Sequence, residues 1–321
     1  MKIGLPASAI ISIITAGATS APAATLYVSS YGNDSILKFQ EDGTSSILQT
    51  MRFPTGVAFD STGNLYVASQ TGNTIAKFPR EGIWSGFAST DLSGPYGLVF
   101  DKANNLYAVN GAISTIEKFS PQGTPSAFVP PGVVGGQSAI TIDAADNIYI
   151  HAYLFAGSTG GVLRVTPSGE VSVFAQTTGG GANGLAFDSK SNLYVASFSD
   201  NIIEKITPSG TTSIFISDPG DGSVLNAPFG LAFDNSDNLY VANYGGNTIE
   251  KITQDGTASV FASSGLSNPT YLAFGPDIVA VPEPSAFDLF SIGLPAVLTY
   301  IGSRRPKPGQ TSLLAPSVQA T

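Results

Sequence analysis

The chain has 321 residues, of which 42% are hydrophobic and only 12% charged, so it is no disordered polar chain. It has no cysteine, which excludes a disulfide framework, a thiolate nucleophile and a Cys-ligated metal. The formal charge is −9, but residues 24–302 hold 10 basic side chains against all 23 acidic ones, a net −13. Such a field repels phosphate backbones and anionic lipid, and no nucleic-acid partner is expected.

The chain opens with Met1-Lys2, an apolar stretch from Ile3 to Ala18, and then Thr-Ser-Ala-Pro-Ala-Ala. One basic residue, an h-region and a small-residue ending predict a secretory signal peptide over 1–23, cut after Ala23. Export follows from that reading.

From Leu26 onward a phrase related to Leu-Tyr-Val-Ala-Ser recurs at Leu26, Leu65, Leu106, Ile148, Leu193 and Leu239. Around it each unit carries Gly-Leu-Ala-Phe-Asp before, Ile-x-Lys-Phe or Ile-x-Lys-Ile after, and then a Gly turn and Ser-x-Phe-Ala. Four strands, A to D, are therefore predicted in every unit of about 40 residues. Strands A and B are almost continuously apolar, as for strands covered on both faces, while the Ile-x-Lys-Phe pattern of strand C predicts one side chain in and the next out. The chain starts on a strand B, and its missing strand A comes last, at Tyr271–Phe274. Pairing the two closes a ring and removes an open edge, so the fold class is all-β, a six-bladed β-propeller, and a solenoid is disfavoured. The unit resembles the NHL repeat over residues 26–275, which implies the same propeller and leaves the function open.

Several conspicuous residues recur once per blade. Asp60, Asp101, Asp143, Asp188 and Asp234 each precede an Asn by four residues, which fits an Asx-type turn better than a ring of metal ligands. Lys38, Lys77, Lys118, Arg164, Lys205 and Lys251 occupy one strand-C position, with the stem over the blade and the charge toward solvent or a repeat acid.

Function is expected where the repeats differ, on the loops at one rim of the channel. The D–A and B–C loops meet there, and the candidate ligand-binding residues are Tyr31, Tyr96, Asn110, His151, Tyr153, Asn183, Phe198, Phe229 and Tyr244. Rings with amide and hydroxyl groups suit a polysaccharide or an extended peptide. His151 is the only histidine, and the loop Ala152–Gly161 of blade 4 departs furthest from the repeat.

After the propeller (24–277), a linker and sorting segment are predicted over 278–307 and a disordered tail over 308–321. Pro282-Glu283-Pro284 precedes an apolar run from Phe287 to Ile301 and a basic stop at Arg304-Arg305. This resembles the PEP-CTERM sorting signal of exopolysaccharide-producing bacteria. The resemblance implies transient membrane insertion, an exosortase-type processing enzyme as partner, and delivery to the periplasm, cell surface or matrix of a Gram-negative-type bacterium. Asp288 and Pro295 interrupt the run, and a permanent weak membrane anchor or a disordered tail is the alternative.

Catalysis is tested by residue type. Gluconolactonase-like propellers hold a divalent cation with channel carboxylates, whereas the channel ends of strand A carry Gly, Ala, Thr, Ser, Tyr, Asn and Phe here. Propeller lyases depend on more than one histidine. The expectation is a non-catalytic binding or scaffold protein with no cofactor, no metal and no catalytic residue. The alternative is a metal-dependent hydrolase completed by a loop carboxylate such as Asp200, Asp218 or Asp221.

Overall fold

The computed structural model describes residues 24–132, 139–153 and 160–278. The signal peptide, sorting segment and tail expected from the sequence fall on residues outside those described, apart from Ile278.

Among the described residues, twenty-four strands form six separate four-stranded antiparallel sheets, one per repeat, in the predicted A-B-C-D order. Blade 1 is assembled from both ends of the repeat region: Pro269–Gly275 is strand A, Thr25–Ser30 strand B, Ser35–Phe39 strand C and Ser45–Thr50 strand D. Its closing register pairs Leu26 with Phe274 and Tyr27 with Ala273. In blades 2 to 6 strand A is Pro54–Phe59, Pro95–Phe100, Ile140–Ile142, Ala182–Phe187 and Pro228–Phe233. Strand B is Leu65–Ser69, Leu106–Asn110, Ile148–Tyr153, Leu193–Ser197 and Leu239–Asn243.

The core lies between blades rather than within them. Tyr66, Ala68 and Ile75 of blade 2 pack on Leu98, Leu106 and Phe119 of blade 3, and five equivalent layers complete the ring. Each large apolar side chain so buried contributes roughly 1.5–3 kcal/mol. A blade covered on both faces corrects the reading of strand C. In Ser35–Phe39 only Lys38 keeps partial exposure, and the same position is the half-open one in Thr115–Phe119. The wet strand is D, where Ile47, Val173, Ile214 and Val260 stand exposed.

The repeat Asp closes the A–B turn as an Asx motif. Asp60 Oδ1 accepts the amides of Thr62 (3.0 Å) and Asn64 (2.9 Å), and its Oδ2 accepts the Asn64 side-chain amide (2.7 Å). Burial works against the charge, yet these bonds outweigh it and hold the carboxyl below its ordinary pKa. Lys77 Nζ sits 4.0 Å from Asp60 and 5.3 Å above the centre of the Tyr66 ring, which in turn meets Phe87 and Phe100 edge-on. One Asp–Lys–Tyr staple thus recurs around the ring as scaffold.

Blade 1 has no such Asp, because its A–B turn is broken by the chain ends. The segment after strand A replaces it. Lys38 Nζ reaches Asp277 (3.0 Å), the Tyr27 hydroxyl donates to the Pro276 carbonyl (3.0 Å), and the buried Ile278 amide donates to that hydroxyl (2.7 Å). Ile278 itself is buried in the layer between blades 1 and 2.

Candidate functional site

The rim carrying the D–A and B–C loops forms an aromatic cup. Close approach of neighbouring strands A sets its geometry. A Cβ on Gly184 would lie 2.0 Å from the Phe229 carbonyl oxygen, and one on Gly56 would lie 2.1 Å from that of Tyr96. With glycine at these positions adjacent strands run almost in contact, and Tyr96, Asn183 and Phe229, each directly before such a glycine, line the channel mouth.

Six of the nine rim residues expected from the sequence come together there. Tyr31, Tyr96, Asn183, Phe198, Phe229 and Tyr244 line one cavity of about 330 Å³, joined by Gly181 and Thr270. That is at the small end of ligand sites, which run from about 300 to 1,000 Å³. Phe229 is the hub: Tyr96 stacks on it at 6.5 Å, Phe198 and Tyr244 flank it at 6.2 and 5.9 Å, and Tyr271 meets its edge at 5.4 Å from below. Tyr31 donates a hydrogen bond to Gln70 (2.8 Å), which fixes its ring at the lip. The lining holds hydroxyls, one amide and rings, and no charged side chain. Burial first, then the neighbouring Tyr31 and Tyr244, raise the Tyr96 hydroxyl to about 12, so it stays a neutral donor. Below the cup, strands A of the six blades surround a channel of about 400 Å³ lined almost wholly by apolar side chains.

Tyr271 extends the set beyond what the sequence indicated. Its residue keeps partial exposure, but its hydroxyl is sealed and has no hydrogen-bond partner among the described residues. Burial drives its pKa far upward.

The remaining candidates lie elsewhere. Asn110 ends strand B of blade 3 and is fully buried, holding the Asp91 carbonyl (2.9 Å) and Thr115 (3.2 Å). Ser69, Ser197 and Asn243 brace the neighbouring D–A loops from the same position, through the Arg52, Gly180 and Val224 carbonyls. Asn110 is therefore one residue short of the mouth. His151 is 3% exposed within strand B of blade 4, where burial lowers its pKa to about 4 and keeps the imidazole neutral. Tyr153 ends the same strand, and its side chain lies outside those described.

The loop carboxylates are occupied with the loops. Asp200 accepts the Gly180 amide (2.7 Å) and the Ser197 hydroxyl (2.9 Å), and Asp221 accepts the Ser223 amide (2.9 Å). Against some desolvation, the amides of Gly220, Gly222, Val224 and Leu225 hold Asp218 down at about 2. The sequence reading also missed Glu117, Glu204 and Glu250, buried at one strand-C position of blades 3, 5 and 6. Glu204 anchors the D–A loop at the cup through the Thr178 amide (2.8 Å) and hydroxyl (2.7 Å). The Ile-Glu-Lys sequence carried the signal: a charge pair in a doubly covered strand must bury one member.

Fold and rim together define a six-bladed propeller whose variable loops build an uncharged aromatic cup at one mouth. Residues 10–281 match the virginiamycin B lyase family, and the chain belongs to that family. No curated protein matches it. Among solved structures, a chain of a nidogen–laminin complex is similar with a TM-score of 0.69 and 16% identity, over 79% of this chain and 98% of that one. A streptogramin B lyase is similar at 0.56 and 18%, over 77% and 76%. The Staphylococcus aureus virginiamycin B lyase, as a catalytically inactive histidine-to-alanine variant with quinupristin, is similar at 0.59 and 16%, over 78% and 92%. At these identities the similarity concerns the fold.

Proposed function

We propose that this protein is an exported, non-catalytic member of its family that binds a polysaccharide or extended peptide of the envelope or matrix in the aromatic cup. The observation that carries the reading is the convergence of Tyr31, Tyr96, Asn183, Phe198, Phe229 and Tyr244 on one uncharged cavity. Rings supply stacking faces, and Asn183 with the tyrosine hydroxyls supplies directed hydrogen bonds. The lyase similarity does not by itself imply turnover, because function resides in the site rather than the fold. The sole histidine of this chain is buried in strand B of blade 4 and is not among the residues that line the cup. Export and sorting rest on the two terminal sequence signals.

The test is titration of the purified protein with neutral oligosaccharides and uncharged peptides. Saturable binding is expected, weakened at least about tenfold (~1.4 kcal/mol) by Tyr244→Ala. Turnover of quinupristin by the purified protein would overturn the non-catalytic reading.

A further inference from the structure

The hydrogen bonds already made by the cup decide which chemistry its occupant must bring. The Tyr31 hydroxyl gives its proton to Gln70 Oε1 (2.8 Å), and that of Thr270 is directed at the Ser29 and Pro54 carbonyls (3.3 and 3.4 Å). Both protons are turned into the protein, so toward the cavity these two oxygens offer lone pairs only. The rest of the lining is mostly ring surface. Tyr96, Phe198, Phe229 and Tyr244 bring π systems whose faces are negative. After burial, Tyr244 raises the pKa of the Tyr31 hydroxyl, as Tyr31 and Tyr244 raise that of Tyr96, so the three phenol oxygens stand near one another. Acceptors and ring faces with no cation among them fit a positively charged donor.

The charges around the cup point the same way. The loops of its rim carry Asp34, Asp91, Asp200, Asp218 and Asp221 against one basic residue, Arg52. Every other Lys and Arg of residues 24–278 stands on a strand C or in an A–B or C–D turn. Asp34 accepts the Phe53 amide (2.8 Å), and the Phe53 ring packs on Tyr31 at 5.0 Å. Asp200 accepts the amide of Gly180 (2.7 Å), the neighbour of Gly181 in the lining. The exposed Arg52 guanidinium lies over Phe53 (5.7 Å), which is not part of the lining. A concave site in such a field concentrates cations.

We propose that the cup seats a protonated amine, carried on a non-acetylated amino sugar of the polysaccharide; the assignment rests on the reading of the cup as the polysaccharide site. A pyranose lays its C–H face on a ring and holds its amine and hydroxyls at one fixed depth, level with Tyr31, Thr270 and Asn183. A lysine would instead carry its ammonium on a long stem toward the channel below, whose side chains are almost wholly apolar and where a buried charge is costly. Acetylation of the sugar removes the charge and sets a methyl group against the acceptors.

The probe is a glucosamine oligomer with every amine free, titrated beside the fully N-acetylated oligomer of the same length at a pH that protonates the amines. The free-amine oligomer is expected to bind at least about tenfold more tightly (~1.4 kcal/mol). Tyr31→Phe keeps a ring and removes an acceptor, and Tyr244→Leu removes a ring face. Each should cut the preference at least about threefold, with melting curves confirming the fold. Arg52→Ser, outside the lining, should tighten the free-amine oligomer about twofold and leave the acetylated one unchanged. Equal affinity for the two oligomers, or tighter binding of the acetylated one, would overturn the proposal and leave the cup standing as a polysaccharide site. A preference undiminished in Tyr244→Leu would put the amine on the acidic surface outside the cup and overturn it equally. Binding of neither oligomer overturns it as well, and titration with neutral ligands then decides the wider reading separately.

Discussion

Ring closure makes a prediction that compares one chemical change at two equivalent positions. Tyr27→Phe in blade 1 removes a hydroxyl that accepts the buried Ile278 amide at 2.7 Å and donates to the Pro276 carbonyl at 3.0 Å. The buried Ile278 amide left without a partner costs about 1–3 kcal/mol and the half-buried Pro276 carbonyl about 1 kcal/mol, so the pair amounts to about 2–4 kcal/mol. For a domain of this size, at about 2–4 °C per kcal/mol, that lowers Tm by about 4–16 °C. Tyr66→Phe in blade 2 removes a hydroxyl 3.4 Å from Asp60, whose carboxylate keeps Asn64 and Lys77. Its cost is about 0–1 kcal/mol, since no buried group is orphaned. Both variants keep the ring and its packing, so differential scanning calorimetry isolates the hydroxyl. Equal shifts for the two variants would refute the assignment of Pro276–Ile278 as the latch of the ring.

Gly184→Ala should destabilise the protein by about 1–3 kcal/mol and weaken cup binding, because the new methyl meets the Phe229 carbonyl. Gly86→Ala, with nothing within 4 Å of the new atom, should be neutral or stabilising by up to about 1 kcal/mol in the same melting assay. Burial raises the Glu250 carboxyl, so folding takes up a proton there and its share of stability increases as pH falls from neutral toward the ordinary carboxylate range. Glu250→Gln should therefore raise Tm at pH 8 and flatten the slope between pH 8 and 5. An unchanged slope would refute it.

What the sequence disclosed follows from which interactions repeat. Strand B recurs with one interior pattern because both faces are covered in every blade, and the displaced strand A at the chain's end had a single partner left to pair with. The Asp–Asn spacing was legible because an Asx turn is local: donor and acceptor lie within four residues. The rim was harder to read, because mouth and interior differ by one step along a strand and a one-residue slip reverses the side chain. Asn110 took the place of Gly111 in that reading, since the last residue of strand B and the first of the loop are both polar in several blades, whereas Tyr31, Phe198 and Tyr244 were correctly aligned. Contacts between blades were illegible for a different reason. That Asn104, Asp146 and Asp237 each accept a backbone amide of the preceding blade becomes visible only once neighbouring A–B turns are side by side. The same logic separates scaffold from site on this molecule. Features repeated around the ring hold it together, and the cup is built from positions where the repeats differ.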